Sequence, residues 1–130
     1  MFLLEVDGCT NYTVLSEADR TQENAEPPYD RTDLGLVTGW YRFQGVAGDR
    51  MPDKFVRRYH CGTTYPGWLN GVHPTVAEGV VLRTVCYDGG GVCGLFSNII
   101  KVKNCRSYYV YELSRIFGYY CGNAGAGKFH

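Results

Sequence analysis

The sequence lacks the features that mark membrane-spanning and nucleic-acid-binding proteins. No stretch approaches the roughly 18 consecutive apolar residues that a membrane-spanning helix needs, so we predict no membrane-spanning segment. The 13 basic and 13 acidic residues cancel, so nothing in the overall charge favours binding to nucleic acid or to an anionic membrane. The 130 residues contain no internal repeat and have the length of one domain.

The motifs of catalytic and metal-binding sites are missing as well. The chain has no Cys-x-x-Cys pair and no cluster of cysteine and histidine at zinc-finger spacing. It has no Gly-x-Ser-x-Gly element, and its acidic residues are scattered along the chain. His73 lies between a turn and Pro74, and we expect it to be a structural residue rather than a general base. We therefore predict no catalytic residue, no metal site, no cofactor and no enzymatic activity.

Aromatic residues and glycines are abundant instead. The 11 tyrosines, 6 phenylalanines, 2 tryptophans and 17 glycines are typical of short strands joined by tight turns. Strands are predicted at 39–43, 55–59, 79–86, 99–103 and 108–113. In the first strand, Trp40 and Arg42 are expected on one face, with Tyr41 and Phe43 on the other. We predict an all-β, mainly antiparallel, sandwich-like fold with long loops and at most one or two short helical turns.

The cysteines indicate the compartment. Six cysteines form an even set, which is typical of a disulfide framework and of an oxidising environment. The residues alone leave about 15 pairings open. Asn11-Tyr12-Thr13 is an acceptor for N-linked glycosylation, which also belongs to the secretory route. We therefore predict a secreted, extracellular protein stapled by disulfides.

The N-terminus does not resemble a secretory leader. Only four apolar residues, Met1 to Leu4, precede the acidic Glu5, and this run is too short for a signal peptide. We therefore expect the chain to be a fragment or the mature form of a longer secreted protein.

The segment 61–74 is the most distinctive part of the chain. Its two turn dipeptides, Pro66-Gly67 and Asn70-Gly71, flank Trp68 and predict a stapled loop with the tryptophan at its crest. Because tryptophan is highly buried on average, Trp68 is expected to plug the core. The alternative is that Trp68 and the neighbouring Asn70 form a contact surface for a partner.

Several motifs along the chain match a known family in order. They are Cys9-Thr-Asn-Tyr-Thr-Val-Leu15, Gly39-Trp-Tyr-Arg-Phe-Gln-Gly45, Trp68-Leu-Asn-Gly-Val-His-Pro74, Lys103-Asn-Cys105 and Tyr108-Tyr-Val-Tyr111. On these motifs the chain resembles the cysteine-rich domain that precedes the zona pellucida module in uromodulin and in the major zymogen-granule membrane glycoprotein. The resemblance covers nearly the whole chain and implies three parts. These are an N-terminal extension or edge strand at 1–8, the cysteine-rich domain at 9–121 and a Gly-rich tail at 122–130.

The resemblance also implies how the cysteines pair. The family's pairs imply the bridges Cys9–Cys105 and Cys61–Cys121. The usual partners of Cys86 and Cys93 in the eight- or ten-cysteine family are absent here, which implies that these two bond to each other. The missing family cysteines correspond to Tyr29, Phe55, Gly94 and Ile116. The rings of Tyr29 and Phe55 are expected to replace the lost sulfur atoms with apolar area.

The family is extracellular and non-enzymatic, and its vertebrate members carry N-glycans that capture bacterial pilus adhesins. Val72 stands where the family's acceptor motif after Asn70 needs a hydroxyl, and Glu112 replaces a second glycosylated asparagine. Only Asn11 remains as an acceptor. The resemblance therefore predicts a recognition or adhesion module of a larger extracellular protein or assembly, with a protein or glycan partner.

Two other functions remain open from the sequence. A structural subunit of an extracellular filament would self-associate through its Tyr-rich strands and through an added N-terminal strand at 2–4. A carbohydrate-binding module would use Trp68 or Trp40, since aromatic rings suit both sugar stacking and protein contacts.

Overall fold

The computed structural model describes residues 7–87, Cys93 and residues 96–124. In this part of the chain seven strands, numbered in chain order, are β1 Thr13–Leu15, β2 Gly39–Phe43, β3 Pro66–Asn70, β4 Val80–Tyr87, β5 Phe96–Asn104, β6 Tyr109–Leu113 and β7 Tyr119–Tyr120. They form one sheet in the order β1-β2-β6-β5-β4-β3-β7. Three single turns of 3-10 helix lie at Ala18–Arg20, Gly45–Ala47 and Val76–Glu78.

The predicted all-β, mainly antiparallel class is confirmed. The central strands β2, β6, β5, β4 and β3 pair antiparallel, and the edge strands β1 and β7 pair parallel with their neighbours. All the described strands belong to one sheet, so the sheet itself separates two layers of side chains, where a sandwich would pack two sheets face to face. The described residues hold three short helical turns, one more than expected.

Four of the five predicted strands are present, as β2, β4, β5 and β6. The strand expected at 55–59 is wrong, because this segment is irregular. Only Val56 in it is buried, and Tyr59 adopts a left-handed backbone with φ of 67°. A single buried side chain gives no alternating face to pair with the sheet, so the segment packs as a loop.

The loop expected at 61–74 contains a strand. Its Pro66-Gly67 dipeptide opens β3, which pairs with β4 on one side and with β7 on the other. Proline is tolerated at the first residue of a strand, where its missing N–H is not needed. A Cβ on Gly67 would lie 2.9 Å from the Tyr87 ring, so glycine allows the close approach. Long-range pairing therefore overrides the local turn signal.

Successive side chains of each strand point to opposite faces of the sheet. One face, the inner face, carries the main core, whose buried members are Leu15, Tyr41, Phe43, Ala47, Met51, Leu69, Val85, Tyr87, Ile100, Val102, Tyr111, Leu113 and Tyr120. The opposite side, the outer face, carries Trp40, Arg42, Trp68, Leu82, Thr84, Ile99, Lys101 and Glu112, as the pairing register requires. Trp40 and Arg42 thus lie on the face opposite Tyr41 and Phe43, as predicted.

A second, smaller core lies on the outer face over the β3–β4 end of the sheet. It consists of Val56, Cys61, Trp68, Cys86 and Cys121, with Cys93 packed against them. The segment around Val56 covers this end of the outer face, and the N-terminal turn with Gly8 packs over Trp40 at the other end.

Three disulfides join the chain, and they are the pairs that the family resemblance implies. Cys9 bonds to Cys105 with their Cα atoms 5.7 Å apart, and Cys61 bonds to Cys121 at 5.5 Å. Cys86 bonds to Cys93 at 4.6 Å. The first bridge closes a sequence separation of 96 residues and fixes the N-terminal turn to the end of β5.

A buried ion pair holds the long excursion between β1 and β2. Arg20 is 2% exposed and donates from Nη1 and Nη2 to the two carboxylate oxygens of Asp33, at 2.9 and 2.8 Å. Its Nη1 also donates to the Tyr120 carbonyl at 3.0 Å, and its guanidinium lies 3.9 Å from the Tyr119 ring centre. The acidic residues and prolines of the excursion predict a polar surface segment, but this ion pair anchors it in the protein interior.

The N-terminal strand predicted at 2–4 and the end of the Gly-rich tail lie outside the described residues. So do residues 88–91, where the run Asp88-Gly-Gly-Gly91 predicts a hairpin tip. The first residues of that tail are described, and there Gly122 and Asn123 form bridges with Thr21 and Arg50.

Candidate functional site

The outer face carries a groove with a volume of about 1010 Å³ between the N-terminal turn and the sheet. A row of paired residues crosses its floor, with Trp40 opposite Glu112, Glu112 opposite Lys101, and Lys101 opposite Leu82 beyond it. Residues that line the groove include Asn11, Tyr12, Thr13, Trp40, Lys101 and Glu112.

The N-terminal turn that forms one wall is held rigidly. The Asp7 carboxylate accepts from the Cys9 N–H at 2.9 Å, and the Asp7 carbonyl accepts from the N–H groups of Thr10 and Asn11, each at 3.0 Å. Lys103 donates to Asp7 at 3.3 Å. The Cys9 N–H and then Lys103 lower the pKa of Asp7, because both favour its ionised form. With the Cys9 disulfide, these contacts fix the turn on the sheet.

Trp40 packs directly beneath this turn. A Cβ on Gly8 would lie 2.5 to 2.8 Å from three atoms of the Trp40 ring system, so only glycine permits this contact. One face of the indole is thus covered by the turn. The half-buried side chain also lines the groove.

Tyr12 forms another aromatic wall. Arg42 donates from Nη1 to the Tyr12 hydroxyl at 2.8 Å, and its guanidinium lies 3.9 Å from the Tyr108 ring centre. The Tyr12 and Tyr108 rings are 5.7 Å apart. Stacking of a cation between aromatic rings restricts both rings. The groove therefore presents two fixed aromatic side chains, Trp40 and Tyr12.

The charges of the groove neutralise one another. Lys101 Nζ lies 3.8 Å from Glu112, and Lys103 Nζ lies 3.3 Å from Asp7. Such exposed pairs add little to stability, but they leave no net field of one sign. The groove is suited to a neutral, polar ligand with apolar patches, rather than to an anion or a cation.

At the edge of the groove lies an exposed group that we call the apolar cluster, consisting of Val80, which also lines the groove, Leu82 and Ile99. Their exposed fractions are 48%, 62% and 68%. Leu82 and Ile99 are diagonal neighbours, because Leu82 pairs with Lys101 and Ile99 pairs with Thr84. Contiguous exposed apolar side chains on a sheet are typical of contact surfaces.

The predicted contact residues Trp68 and Asn70 lie at the other end of the sheet. Trp68 is 3% exposed, with the Phe55 ring edge-on at 5.8 Å, and it packs among the disulfides. This agrees with the expectation that Trp68 plugs the core, and it corrects the alternative assignment of Trp68 as a ligand contact, because no ring face is open. Its Nε1 has no hydrogen-bond partner among the described residues. Asn70 is exposed and reaches Cys93 Sγ at 3.8 Å.

Two rings occupy the neighbourhoods where family cysteines are missing. Phe55 packs against Trp68, and Tyr29 packs against Tyr59 with ring centres 5.1 Å apart. Both rings thus make aromatic contacts in these regions, in agreement with the expectation that Tyr29 and Phe55 replace the missing sulfur atoms with apolar area.

Trp40 and Asn11 line the same groove, although the sequence analysis treated them as two separate candidate sites. The structure also adds Tyr12, Lys101 and Glu112, which the sequence did not single out. Alternation within β5 placed Lys101 outward, but only the strand order β2-β6-β5 shows that it faces the same groove as Trp40.

His73 was expected to be structural, and its contacts agree with that. The Met51 N–H donates to the Tyr111 oxygen at 2.9 Å, which leaves the phenol proton free to bond to His73 Nε2 at 2.8 Å. His73 Nδ1 lies 3.6 Å from Asp53. Burial lowers the pKa of His73 to about 4, against the opposing effect of the Asp53 carboxylate. Burial also raises the pKa of Tyr111, whose side chain is fully enclosed. A substrate could not reach the Tyr111 hydroxyl, so the bond between His73 and Tyr111 is structural.

Neither a metal centre nor a membrane span is found in the part of the chain that the structure describes. No three His, Cys, Asp or Glu side chains among residues 7–87, 93 and 96–124 come together as a metal-binding group. Among the same residues, no helix has the length and apolar character to cross a bilayer.

The structure is a disulfide-stapled β-domain with one mainly antiparallel sheet. A family model described as a uromodulin-like domain matches residues 41–122. The chain therefore belongs to the uromodulin-like domain family, as its motifs indicated.

Curated relatives agree with this assignment. The chain is 46% identical over 110 residues to the pancreatic secretory granule membrane major glycoprotein GP2 of Canis lupus familiaris, covering 82% of this chain and 21% of that protein. The same glycoprotein of Homo sapiens is 38% identical over 110 residues, covering 82% and 20%. Uromodulin of Mus musculus is 41% identical over 109 residues, covering 83% and 16%. The chain thus spans about a fifth or less of the length of these relatives.

Proposed function

We propose that the chain is a non-enzymatic recognition module of a larger extracellular protein, and that it binds another protein through the apolar cluster. Two findings support the proposal that the chain is one module of a larger protein. It belongs to the uromodulin-like domain family, and it covers only about a fifth or less of the length of its relatives. The observation that carries the binding surface is the exposure of Leu82 and Ile99 on the central strands of the sheet.

The apolar cluster lies on the outer face of the two central strands, where its side chains are not needed to fill the core. β4 and β5 are paired on both sides, and their inner residues already supply the core. Burying exposed apolar area against a partner contributes about 25 cal/mol per Å². The neighbouring Lys101–Glu112 pair gives the cluster a neutral polar rim, which is common at protein contacts.

The test measures binding to a panel of purified extracellular proteins by surface plasmon resonance. Leu82→Glu and Ile99→Glu are expected to weaken the specific complex at least about tenfold, because each puts a charge at the contact centre. Val46→Glu is the matched control, since Val46 is 67% exposed in a 3-10 turn outside the strands. A binder that is weakened by Val46→Glu and not by Leu82→Glu would refute this surface.

Self-association into a filament is a second candidate. It is favoured by β1, which among the described strands has a neighbour on one side only, so that its other edge is a candidate for pairing. The Tyr-rich contacts expected for it are weaker support, because Tyr111, Tyr119 and Tyr120 are buried. Sedimentation over a wide concentration range distinguishes this candidate, since a monomer throughout would eliminate it.

Carbohydrate binding is a third candidate, now resting on Trp40 alone of the two tryptophans. Trp40 and Tyr12 border a groove that also offers Lys101 and Glu112 as hydrogen-bonding groups. Binding on a glycan array that is lost in Trp40→Ala would support a free sugar ligand, and an array without hits would remove it.

A further inference from the structure

We propose that Arg57-Arg58 is a processing site, where an extracellular serine protease that cuts after arginine converts the domain into a two-chain form. The site lies in the irregular segment 53–59, which we call the basic loop. The loop packs on the second core through Phe55 and Val56. This inference does not depend on the partner proposed for the apolar cluster, and it is tested separately.

The basic loop combines exposed side chains with an unpaired backbone. None of its residues belongs to a strand, a bridge or a 3-10 helix. Between residues 53 and 57, no backbone group bonds to another backbone group of the part of the chain that the structure describes. Val56 is the one buried side chain in the loop, whose exposed side chains are Lys54, Phe55, Arg57 and Tyr59. Exposed loops of this kind are the preferred sites of proteolytic nicking.

Both ends of the basic loop are fixed to the rest of the fold. The Pro52 carbonyl accepts from the Leu69 N–H at 2.8 Å. At the other end, His60 forms a bridge with Thr63, and the next residue, Cys61, is in a disulfide. A protease can therefore draw out this segment by displacing a single buried side chain, while the sheet stays intact. Such local opening needs less free energy than global unfolding.

The other basic residues of the described ranges are held by burial or by backbone pairing. Arg20 is 2% exposed. Those that lie within strands are Arg42, Arg83, Lys101 and Lys103. Those whose own or adjoining backbone groups are bonded in bridges or turns are Arg31, Arg50, Arg106 and Arg115. Cleavage after any of them requires paired backbone to open first, so the basic loop is the preferred target.

Within the basic loop, the arginine pair is favoured over Lys54. Lys54 Nζ lies 4.0 Å from the Asp53 carboxylate, so an acid stands beside the cation. Arg57 is exposed and makes no hydrogen bond or ion pair with any described residue. A trypsin-like protease binds a basic side chain in an acidic specificity pocket, and two adjacent arginines offer it two bonds to cut.

Hydrolysis at this site consumes one water molecule. The bond between the arginine carbonyl carbon and the next backbone nitrogen breaks. The oxygen of water joins the carbon, which gives a carboxylate, and both protons of water go to the nitrogen, which gives an ammonium group. The protease supplies the catalytic groups and is unchanged at the end.

The two pieces remain one folded molecule after the cut. Of the three disulfides, only Cys9–Cys105 joins the two sides of the basic loop. β1 and β2 belong to the first piece, and β2 pairs with β6 in the second. The Arg20 guanidinium in the first piece also donates to the Tyr120 carbonyl in the second. The product is therefore a two-chain domain that only reduction separates into its pieces.

Limited digestion of the secreted protein with a small amount of trypsin tests the proposal. Apart from any trimming of the tail after Lys128, the first product should gain the mass of one water molecule before reduction. After reduction it should separate into two chains, with the cut after Arg57 or Arg58. Circular dichroism of the unreduced product should match that of the uncut protein. A first cut within residues 7–124 after any other basic residue, Lys54 included, overturns the proposal.

Paired variants identify the residues that direct the cut. Arg57→Gln combined with Arg58→Gln should abolish it, whereas Arg106→Gln combined with Arg115→Gln changes two other exposed arginines and should leave its rate unchanged. A misfolded chain is cut faster, so loss of the cut cannot come from misfolding. An equal rate in both double variants contradicts the proposal.

Digestion in low concentrations of urea distinguishes local opening from global unfolding. Opening of the basic loop exposes little surface, so the rate of the cut should change little with urea once the effect of urea on trypsin is corrected with a reference peptide. A rate that rises in step with the globally unfolded fraction would show that the folded domain is not a substrate, and would overturn the proposal.

Discussion

Arg20 shows how much a single residue contributes to this fold. It occurs in a polar, acidic stretch and would pass for a surface residue, yet it lies between the excursion that carries Asp33 and the edge strand β7. Its Nε also donates to Glu17 at 2.8 Å. No local pattern marks its burial, because its buried partners, the Asp33 carboxylate and the Tyr120 carbonyl, are 13 and 100 residues away along the chain. Long-range ion pairing of this kind is invisible to periodicity and turn signals.

Removal of the Arg20 charge should therefore destabilise the protein strongly. Arg20→Met leaves the Asp33 carboxylate buried without its cation, and the free energy of unfolding should fall by about 3–5 kcal/mol. Arg31→Met is the matched control, since Arg31 is half exposed and pairs with Asp19 at 2.9 Å, for which about 1 kcal/mol or less is expected. Urea denaturation measures both values. Similar losses for the two variants would contradict the anchoring role of Arg20.

At the scale of elements, the segment that follows β3 is locked to β6. His73 bonds to Tyr111, and its ring packs on Tyr109 with centres 4.4 Å apart. Asp53 is the acid facing it, while Arg50 and Arg83 disfavour its protonation. The sequence predicted a structural histidine here, but only the packing of the 51–53 segment onto β6 shows that the neutral ring is the form that fits.

This contact predicts a pH dependence of stability. The pKa of His73 is lowered to about 4 in the folded protein from about 6.5 in the unfolded chain, so the unfolded chain binds more protons between these values. The stabilisation is complete above about pH 6.5 and is lost as the pH falls towards 4, by about 3 kcal/mol.

Urea unfolding between pH 4 and 7 measures this contribution. His73→Gln keeps an acceptor for the Tyr111 hydroxyl but does not titrate, so its stability should vary less across this interval. An unchanged slope in His73→Gln would show that other groups cause the pH dependence.

At the scale of the whole molecule, the two faces of one sheet lie in different environments. The inner face packs in the main core, and much of the outer face is exposed to solvent. Alternation was readable in β2 and β5, so the core face could be predicted from the sequence. The position of the groove could not, because it depends on β2 and β5 being joined through β6, which follows both in the chain. β3 was missed because Pro66-Gly67 is a local turn signal, and because one of its two pairing partners, β7, follows only at the end of the sheet's chain order, where Pro66 pairs with Tyr119.

The family motifs carried what the local patterns did not. They implied the three cysteine pairs that the structure contains, where the residues alone left about 15 arrangements. They gave no indication of the apolar cluster, because Val80, Leu82 and Ile99 belong to ordinary strand patterns. Exposed apolar residues become informative only when the sheet shows them to be contiguous.

Site-specific photo-crosslinking on the outer face tests the central claim most directly. A photoreactive amino acid replaces Leu82 in the secreted protein, and the same residue replaces Val46 as a control of similar exposure. Irradiation in the presence of extracellular proteins should yield a defined adduct from position 82 and none from position 46. An adduct from position 46 alone, or no adduct from either position, would contradict recognition through the apolar cluster.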